Sequence, residues 1–238
     1  MDISVCIVNF NSKKQLEKCL HTIKPAIKPL SYEVIIVDNY SKDGSQALIK
    51  KHFEKVRLIT NNRNNGYTSE INRAMKNGKG NYKLIINPDS RLMPKSINNL
   101  VTFMKQKERS GIAGPLVLNE DGSFQWSCRR GVARPFAVFC YFLGIAKLFP
   151  QYPIFTGYHL NHLDVKEINE VSGVSGSCML VDQELILRAR RDIVRILEQA
   201  GWIDAGTDPI EAISSHPARI AGSPEFTPIY DRIQCLES

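Results

Sequence analysis

An α/β fold with a mostly parallel central sheet flanked by helices is predicted by three observations. Short apolar runs recur at Ile3 to Val8, Glu33 to Val37 and Tyr82 to Ile86, as strands buried on both faces require. Amphipathic helical patterns separate them. Each run stops at a polar cluster, so strand, turn and helix repeat in order, and such repeats close through right-handed crossovers.

The 238-residue chain is 43% hydrophobic, enough for one large domain or one domain with an appendage. Its formal net charge of +7 suits anionic partners such as nucleotide phosphates or anionic lipid, although scattered solvated lysines are the simpler source of much of it. No basic and aromatic stripe accompanies that charge, so nucleic acid is not an expected partner. Cysteines stand at Cys6, Cys19, Cys128, Cys140, Cys178 and Cys235, without a Cys-x-x-Cys pair and several inside apolar patterns. Reduced, mostly buried thiols and a cytoplasmic location fit this usage. The opening Met-Asp-Ile-Ser-Val runs straight into a strand and shows no secretory signal. The most apolar stretch, Pro135 to Pro150, is shorter than the roughly 18 residues of a membrane span. It reads first as a buried helix, with a membrane surface or a substrate groove as alternatives.

In order, Ile3 to Val8 is the first strand, ended by Asn9-Phe10-Asn11. Ser12 and Gln15 have capping-box spacing. Leu16, Cys19, Leu20 and Ile23 then recur at helical spacing, and Pro25 is expected to stop that helix. No Gly-x-Gly-x-x-Gly follows the first strand, which argues against a dinucleotide-binding domain. Glu33 to Val37 is the second strand and runs into Asp38-Asn39-Tyr40-Ser41-Lys42-Asp43-Gly44-Ser45, where Asp43-Gly44-Ser45 reads as a turn and helix cap. The helix beyond carries Leu48, Ile49, His52 and Phe53, with His52 an ordinary face residue. Val56 to Ile59 is a third strand and Asn61 to Gly66 a polar loop; Ile71, Ala74 and Met75 mark a helix closed by Gly78 and Gly80. After the fourth strand, Ile97, Leu100, Val101 and Met104 define a helix, Ile112 to Leu118 a strand, and Asn119 to Gly122 a turn.

The fourth strand stops at Asn87-Pro88-Asp89-Ser90. Alone, this tetrapeptide reads as a turn, since all four residue types favour one. Its position shifts that balance, because ligands of open α/β sheets bind outside the carboxyl ends of strands. Polar clusters after strands one, two and four would converge there, and Asp38 and Asp89 are hard to explain as two separate turns. A carboxylate at such a place can hold Mg²⁺ against phosphate oxygens. Other candidates carry less. His159 and His162 have i, i+3 spacing but no supporting Cys or carboxylate pattern. Arg129 and Arg130 could reach a diphosphate, with a solvated basic pair the simpler reading.

Taken together, Val5 to Asn11, Val37 to Ser45, Asn65-Gly66-Tyr67 with Asn72, Asn87-Pro88-Asp89-Ser90, Asp121-Gly122-Ser123 and Val171 to Val181 resemble the GT-A glycosyltransferases of family 2, and among them rhamnosyltransferase-like enzymes of bacterial surface polysaccharide assembly. Each motif is weak alone; their order and spacing over residues 3 to 182 are specific. The resemblance implies a GT-A (nucleotide-diphospho-sugar transferase) domain at 1–182, with a nucleotide-sugar half at 1–118 and an acceptor-side half at 119–182. It implies a nucleotide-diphosphate sugar as donor, a glycan or lipid-linked acceptor, and work at the inner face of the plasma membrane with peripheral contact. By analogy Asn9, Asp38, Asn39, Asn65, Gly66, Asn87 and Asp89 bind donor. Asp89 matches the last acid of the family's Asp-x-Asp motif, with Asn87 in place of the first, and would hold Mg²⁺ or Mn²⁺. Ser172, Gly173 and Ser175 resemble the acceptor-side segment.

The resemblance breaks after Val181. The family follows this strand with a Glu-Asp pair whose acid deprotonates the acceptor; here the corresponding positions hold Ala189 and Arg190. Asp192 is the candidate replacement and Glu184 a weaker one, and 183–238 is expected to be a divergent C-terminal segment. General-base transfer needs an acid in reach of the acceptor oxygen. The gap therefore bears on mechanism.

Overall fold

In the computed structural model, residues 1–107, 110–132, 134–149, 151–188 and 191 are described. The described residues divide into two compact units, one of Met1–Pro115 with Gly176–Gln183 and the other of Leu116–Ser175 with the described residues from Glu184 on. The elements run β1 (Ile3–Asn9), α1 (Lys13–Ile27), β2 (Tyr32–Asp38), α2 (Ser45–His52), β3 (Val56–Thr60), α3 (Tyr67–Asn77), β4 (Tyr82–Ile86), α4 (Ser96–Gln106) and β5 (Ile112–Ala113). They continue with β6 (Arg129–Arg130), α5 (Pro135–Phe142), α6 (Ile145–Leu148), α7 (Pro153–Thr156), β7 (Gly173–Val174) and β8 (Cys178–Asp182).

In the first unit the sheet order is β3-β2-β1-β4-β8-β5. β1 pairs in parallel with both β2 and β4, and β2 with β3, whereas β8 runs antiparallel between β4 and β5. All seven residues of β1 are buried, the pattern of a strand covered on both faces. Ile3, Val5 and Ile7 face a core shared with Leu16, Leu20 and Ile23 of α1 and Ile97 and Val101 of α4. Each such side chain contributes about 1.5–3 kcal/mol of burial. On the other face, Ile71 and Ala74 of α3 are buried against β1 and β2.

Three expectations are corrected. Pro25 lies inside α1, which continues to Ile27. Ala26 and Ile27 are fully buried, and a missing backbone donor in the last turn is offset by that burial. The Ser12 side chain makes no cap; instead Asp43, thirty residues away, accepts the Lys13 N–H at 2.7 Å. The strand expected over Ile112 to Leu118 enters the sheet only at Ile112–Ala113, because Pro115 has no N–H to continue a ladder. Leu118 instead bridges Phe124 around the turn at Gly122, whose φ is 81°.

In the second unit β6 and β7 pair antiparallel, and Ser175 N–H donates to the Cys128 carbonyl. Arg129 is neither solvated nor facing a ligand groove. It is 8% exposed and donates to the carbonyls of Leu160 and Leu163 at 3.1 and 2.8 Å, closing the 156–164 turns onto β6. The cysteines at 6, 19, 128, 140 and 178 are free and buried, as expected; Cys235 lies outside the described residues. Burial pushes the thiols of Cys6, Cys19 and Cys178 up to about 12, so they stay protonated.

Candidate functional site

The sheet order reverses between β1 and β4: β1, β2 and β3 proceed to one side, β4 to the other. Such a reversal leaves a crevice at the carboxyl ends of the strands. The sequence ends these strands with Asn9, Asp38, Thr60 and Asn87, so the polar strand ends share one edge.

Asn9 and Asp38 are register partners, and both are fully buried. Asn9 Nδ2 donates to Asp38 Oδ2 at 2.8 Å and to Ser41 Oγ at 3.0 Å. Asp38 Oδ1 accepts from Ser41 N–H at 3.0 Å and Gln46 Nε2 at 2.7 Å. The buried carboxylate thus closes the turn after β2 and ties it to β1 and α2. Asn9 Oδ1 is buried and accepts no hydrogen bond from another described residue. Tyr40, within that turn, is held at φ 73° with its ring exposed and the Lys42 ammonium 3.7 Å over it.

Asn39, 2% exposed, organises the next loop. Its Nδ2 donates to Asn64 Oδ1 at 2.7 Å, and its Oδ1 accepts from Asn61 Nδ2 at 3.1 Å and Asn65 N–H at 3.0 Å. Asn65 Nδ2 donates to Glu70 Oε1 at 3.1 Å. Gly66 opens α3 at φ 84°, ψ 162°, a backbone region open essentially to glycine alone. Glu70 is buried and pairs with Arg73 at 3.5 Å. Burial acts to raise its carboxyl; hydrogen bonds from Asn61 and Asn65 and the Arg73 charge outweigh it and hold the group below the usual range. An open polar cleft of ≈ 560 Å³ lies here, lined by Thr60, Asn61, Asn62, Arg63, Asn65 and Arg73.

Asp89 is exposed, and its carboxylate makes no hydrogen bond or ion pair to another described residue. The loop carrying it is fixed from β8: Asn87 N–H donates to the Ser177 carbonyl at 3.0 Å and Ser90 Oγ to the same oxygen at 2.9 Å. Among the described residues no group of three His, Cys, Asp or Glu side chains could cage a metal ion. A lone accessible carboxylate is nevertheless the donor set suited to Mg²⁺, which keeps its waters and takes further oxygens from substrate phosphate.

The structure therefore brings Asn9 and Asp38 into direct contact, joins Asn39 to Asn65 and Gly66, and sets Asn87 and Asp89 after β4. Ser172, Gly173 and Ser175 lie in the second unit, on and beside β7. Asp192 lies outside the described residues. Glu184 is exposed and ion-paired with Arg188 one turn on. Asp43 serves as a cap for two helices, accepting from Lys13 N–H and Ser45 N–H. Sequence reasoning missed Ser41, Gln46, Asn61, Asn64 and Glu70. An acid next to Ile71 on the inward face of α3 and the run of asparagines at 61–65 were the available signals.

A largely parallel sheet with its polar strand ends gathered at the order reversal defines a GT-A glycosyltransferase fold. The same fold is found in the mannosyltransferase PcManGT from Pyrobaculum calidifontis, solved in complex with GDP-Man and Mn²⁺, with a TM-score of 0.51 and 17% identity over 78% of this chain and 46% of that one. The chain belongs to glycosyl transferase family 2, whose profile matches residues 4–185. It is 29% identical to the N-acetylglucosaminyl-diphospho-decaprenol L-rhamnosyltransferase of Mycobacterium tuberculosis, over 92% of this chain and 78% of that protein. A poly(ribitol-phosphate) beta-glucosyltransferase of Bacillus spizizenii is 30% identical over 49% of this chain, which spans 19% of its length.

Proposed function

We propose that this protein transfers a sugar, rhamnose or another hexose, from a nucleotide-diphosphate donor to a lipid-linked or glycan acceptor, with inversion, in surface polysaccharide synthesis. The observation that carries the reading is the meeting of the β1, β2 and β4 ends at the sheet reversal, with Asn9 and Asp38 locked together and Asp89 left accessible. The name of the mycobacterial relative, coupling an L-rhamnosyl group to a diphospho-decaprenol-linked sugar, supports a lipid-linked acceptor.

The first unit serves as the nucleotide-sugar half and the second as the acceptor side, through Ser172, Gly173 and Ser175. Asn39, Asn65 and Gly66 shape the loop over the donor, and Asp38 holds Asn9 in place. Asn9 Oδ1, a buried acceptor of the kind that seldom stays unpaired, can take an N–H from the nucleoside. Asp89, with Asn87 beside it, is the residue that would hold Mg²⁺ or Mn²⁺. When bound, that ion offsets charge on the departing diphosphate. In the transfer itself the acceptor oxygen forms the new bond to the anomeric carbon, the bond to the donor diphosphate breaks, and Asp192 takes the acceptor proton.

A second reading has the chain bind donor without efficient transfer, and the presence of Ala189 and Arg190 where the base pair belongs favours it. Calorimetry over nucleotide sugars with Mn²⁺, followed by turnover with lipid-linked acceptors, separates the two. Transfer abolished by Asp192→Asn supports the enzyme; binding without turnover supports the alternative; no donor binding overturns both.

A further inference from the structure

We propose that the face built by α5, α6 and α7 docks this protein on an anionic lipid surface. The argument begins with α5, whose sequence, Pro-Phe-Ala-Val-Phe-Cys-Tyr-Phe, has no charged residue. A helix lying on a water-soluble unit ordinarily turns polar side chains outward. Here the inward places go to the small residues Ala137 and Cys140, while Phe136, Phe139 and Phe142 are 51%, 56% and 79% exposed. The expectation of a buried helix thus holds for one side of α5 only. Leu148 and Ile154, on the two following helices, are 74% and 63% exposed.

Ring contacts link α5, the end of α6 and α7. Phe155 contacts Phe136, Phe149 and Tyr152, with ring centroids 6.2, 5.6 and 6.3 Å apart. Several large apolar side chains exposed on three linked helices mark an interaction site.

Charge decides the occupant. Residues 122–163 contain no Asp or Glu, and their arginines divide: Arg129 and Arg130 bond within the unit, to the Leu160 and Leu163 carbonyls and the Tyr158 hydroxyl. Arg134 is exposed at the start of α5. A second copy meeting this face about a twofold axis would set cation against cation without a carboxylate to pair. A bilayer surface offers both requirements, apolar depth for the rings and anionic headgroups for the arginine. No helix among the described residues is long and apolar enough to cross a membrane, so the contact is peripheral. This inference rests on the reading of a lipid-linked acceptor, but its test needs neither donor nor turnover.

The experiment is flotation of the full chain with phosphatidylcholine vesicles, with and without phosphatidylglycerol, in the absence of nucleotide. The protein should float with the anionic vesicles, and less so at high salt. Phe139→Glu/Phe142→Glu should cut the bound fraction roughly tenfold while the melting temperature holds, because both rings already face water. Arg134→Glu should weaken binding to the anionic vesicles selectively. A variant that loses flotation but keeps its calorimetric donor affinity supports docking whatever becomes of the transfer reading. Wild-type protein that stays with the soluble fraction overturns the proposal. So does unchanged flotation of the double variant. A wild-type dimer that Phe142→Glu dissociates, without lipid binding, assigns the face to a second copy and overturns it as well.

Discussion

The side chains of Asn9 and Asp38 meet at 2.8 Å across two parallel strands, with no solvent exposure on either residue. Asp38 thereby binds the ends of β1 and β2 to each other and to Gln46 of α2. Its first duty is to hold the polar edge of the sheet in shape.

Asp38→Ala should accordingly destabilise the full chain by about 2 kcal/mol, since it removes one of two acceptors of the buried Asn9 amide and the acceptor shared by the half-buried Ser41 N–H and Gln46 amide. Urea unfolding followed by circular dichroism measures this. An effect smaller than that of an ordinary surface substitution would contradict the assignment.

Asp89→Ala should behave in the opposite way. The carboxylate is exposed and makes no bond to another described residue, so the melting temperature should not move. Donor affinity in Mn²⁺ should fall to its metal-free level, as read by calorimetry with and without the ion. Equal enhancement by Mn²⁺ in wild type and variant would remove Asp89 from the metal role.

Glu70 sets a pH dependence. Its folded carboxyl lies below its unfolded value, so the stabilisation it provides is complete above the unfolded value and is lost as pH falls through the depressed folded one. Glu70→Gln should lower the melting temperature at neutral pH, and that difference should shrink as the solution is acidified. Parallel melting curves across the acid range would show that Glu70 contributes no such linkage.

Gly80 tests the close approach of the α3–β4 connection to β1. A Cβ there would collide with the Ser4 nitrogen and stand 2.5 Å from the Ile3 carbonyl carbon. Gly80→Ala should cost about 3 kcal/mol or more, because backbone cannot yield as a flexible side chain can. Gly111→Ala, whose Cβ would meet nothing within 4 Å, is the control and should be nearly neutral by the same urea titration.

The parallel part of the sheet was legible because β1, β2 and β4 are continuous apolar runs with polar stops, and the edge that gathers Asn9, Asp38 and Asn87 follows from that order. The antiparallel insertion of β8 between β4 and β5 was not, since a strand's direction depends on partners more than sixty residues away in sequence. A separation of thirty residues hid Asp43 as the cap of α1, where Ser12 and Gln15 offered a plausible local solution. Pro25 misled because local propensity gave way to the burial of Ala26 and Ile27. On the α5 face, composition announced an apolar helix, but nothing in its spacing told which rings would be left outside. Asn61 and Asn64 were visible only as part of a polar loop, because their role arises from Asn39 reaching across from the end of β2.

The late position of β8 in the chain also governs the order in which the protein can be completed during synthesis. Among the described residues β5 pairs only with β8, and the outer edge of β4 is closed by β8 alone. Until residue 182 has left the ribosome, a nascent chain therefore carries an open strand edge, the kind of surface that invites pairing with other chains. The Ser177 carbonyl that fastens the Asp89 loop arrives with that same strand. A finished sheet edge and a fixed Asp89 loop are thus produced together, late in the emergence of the chain.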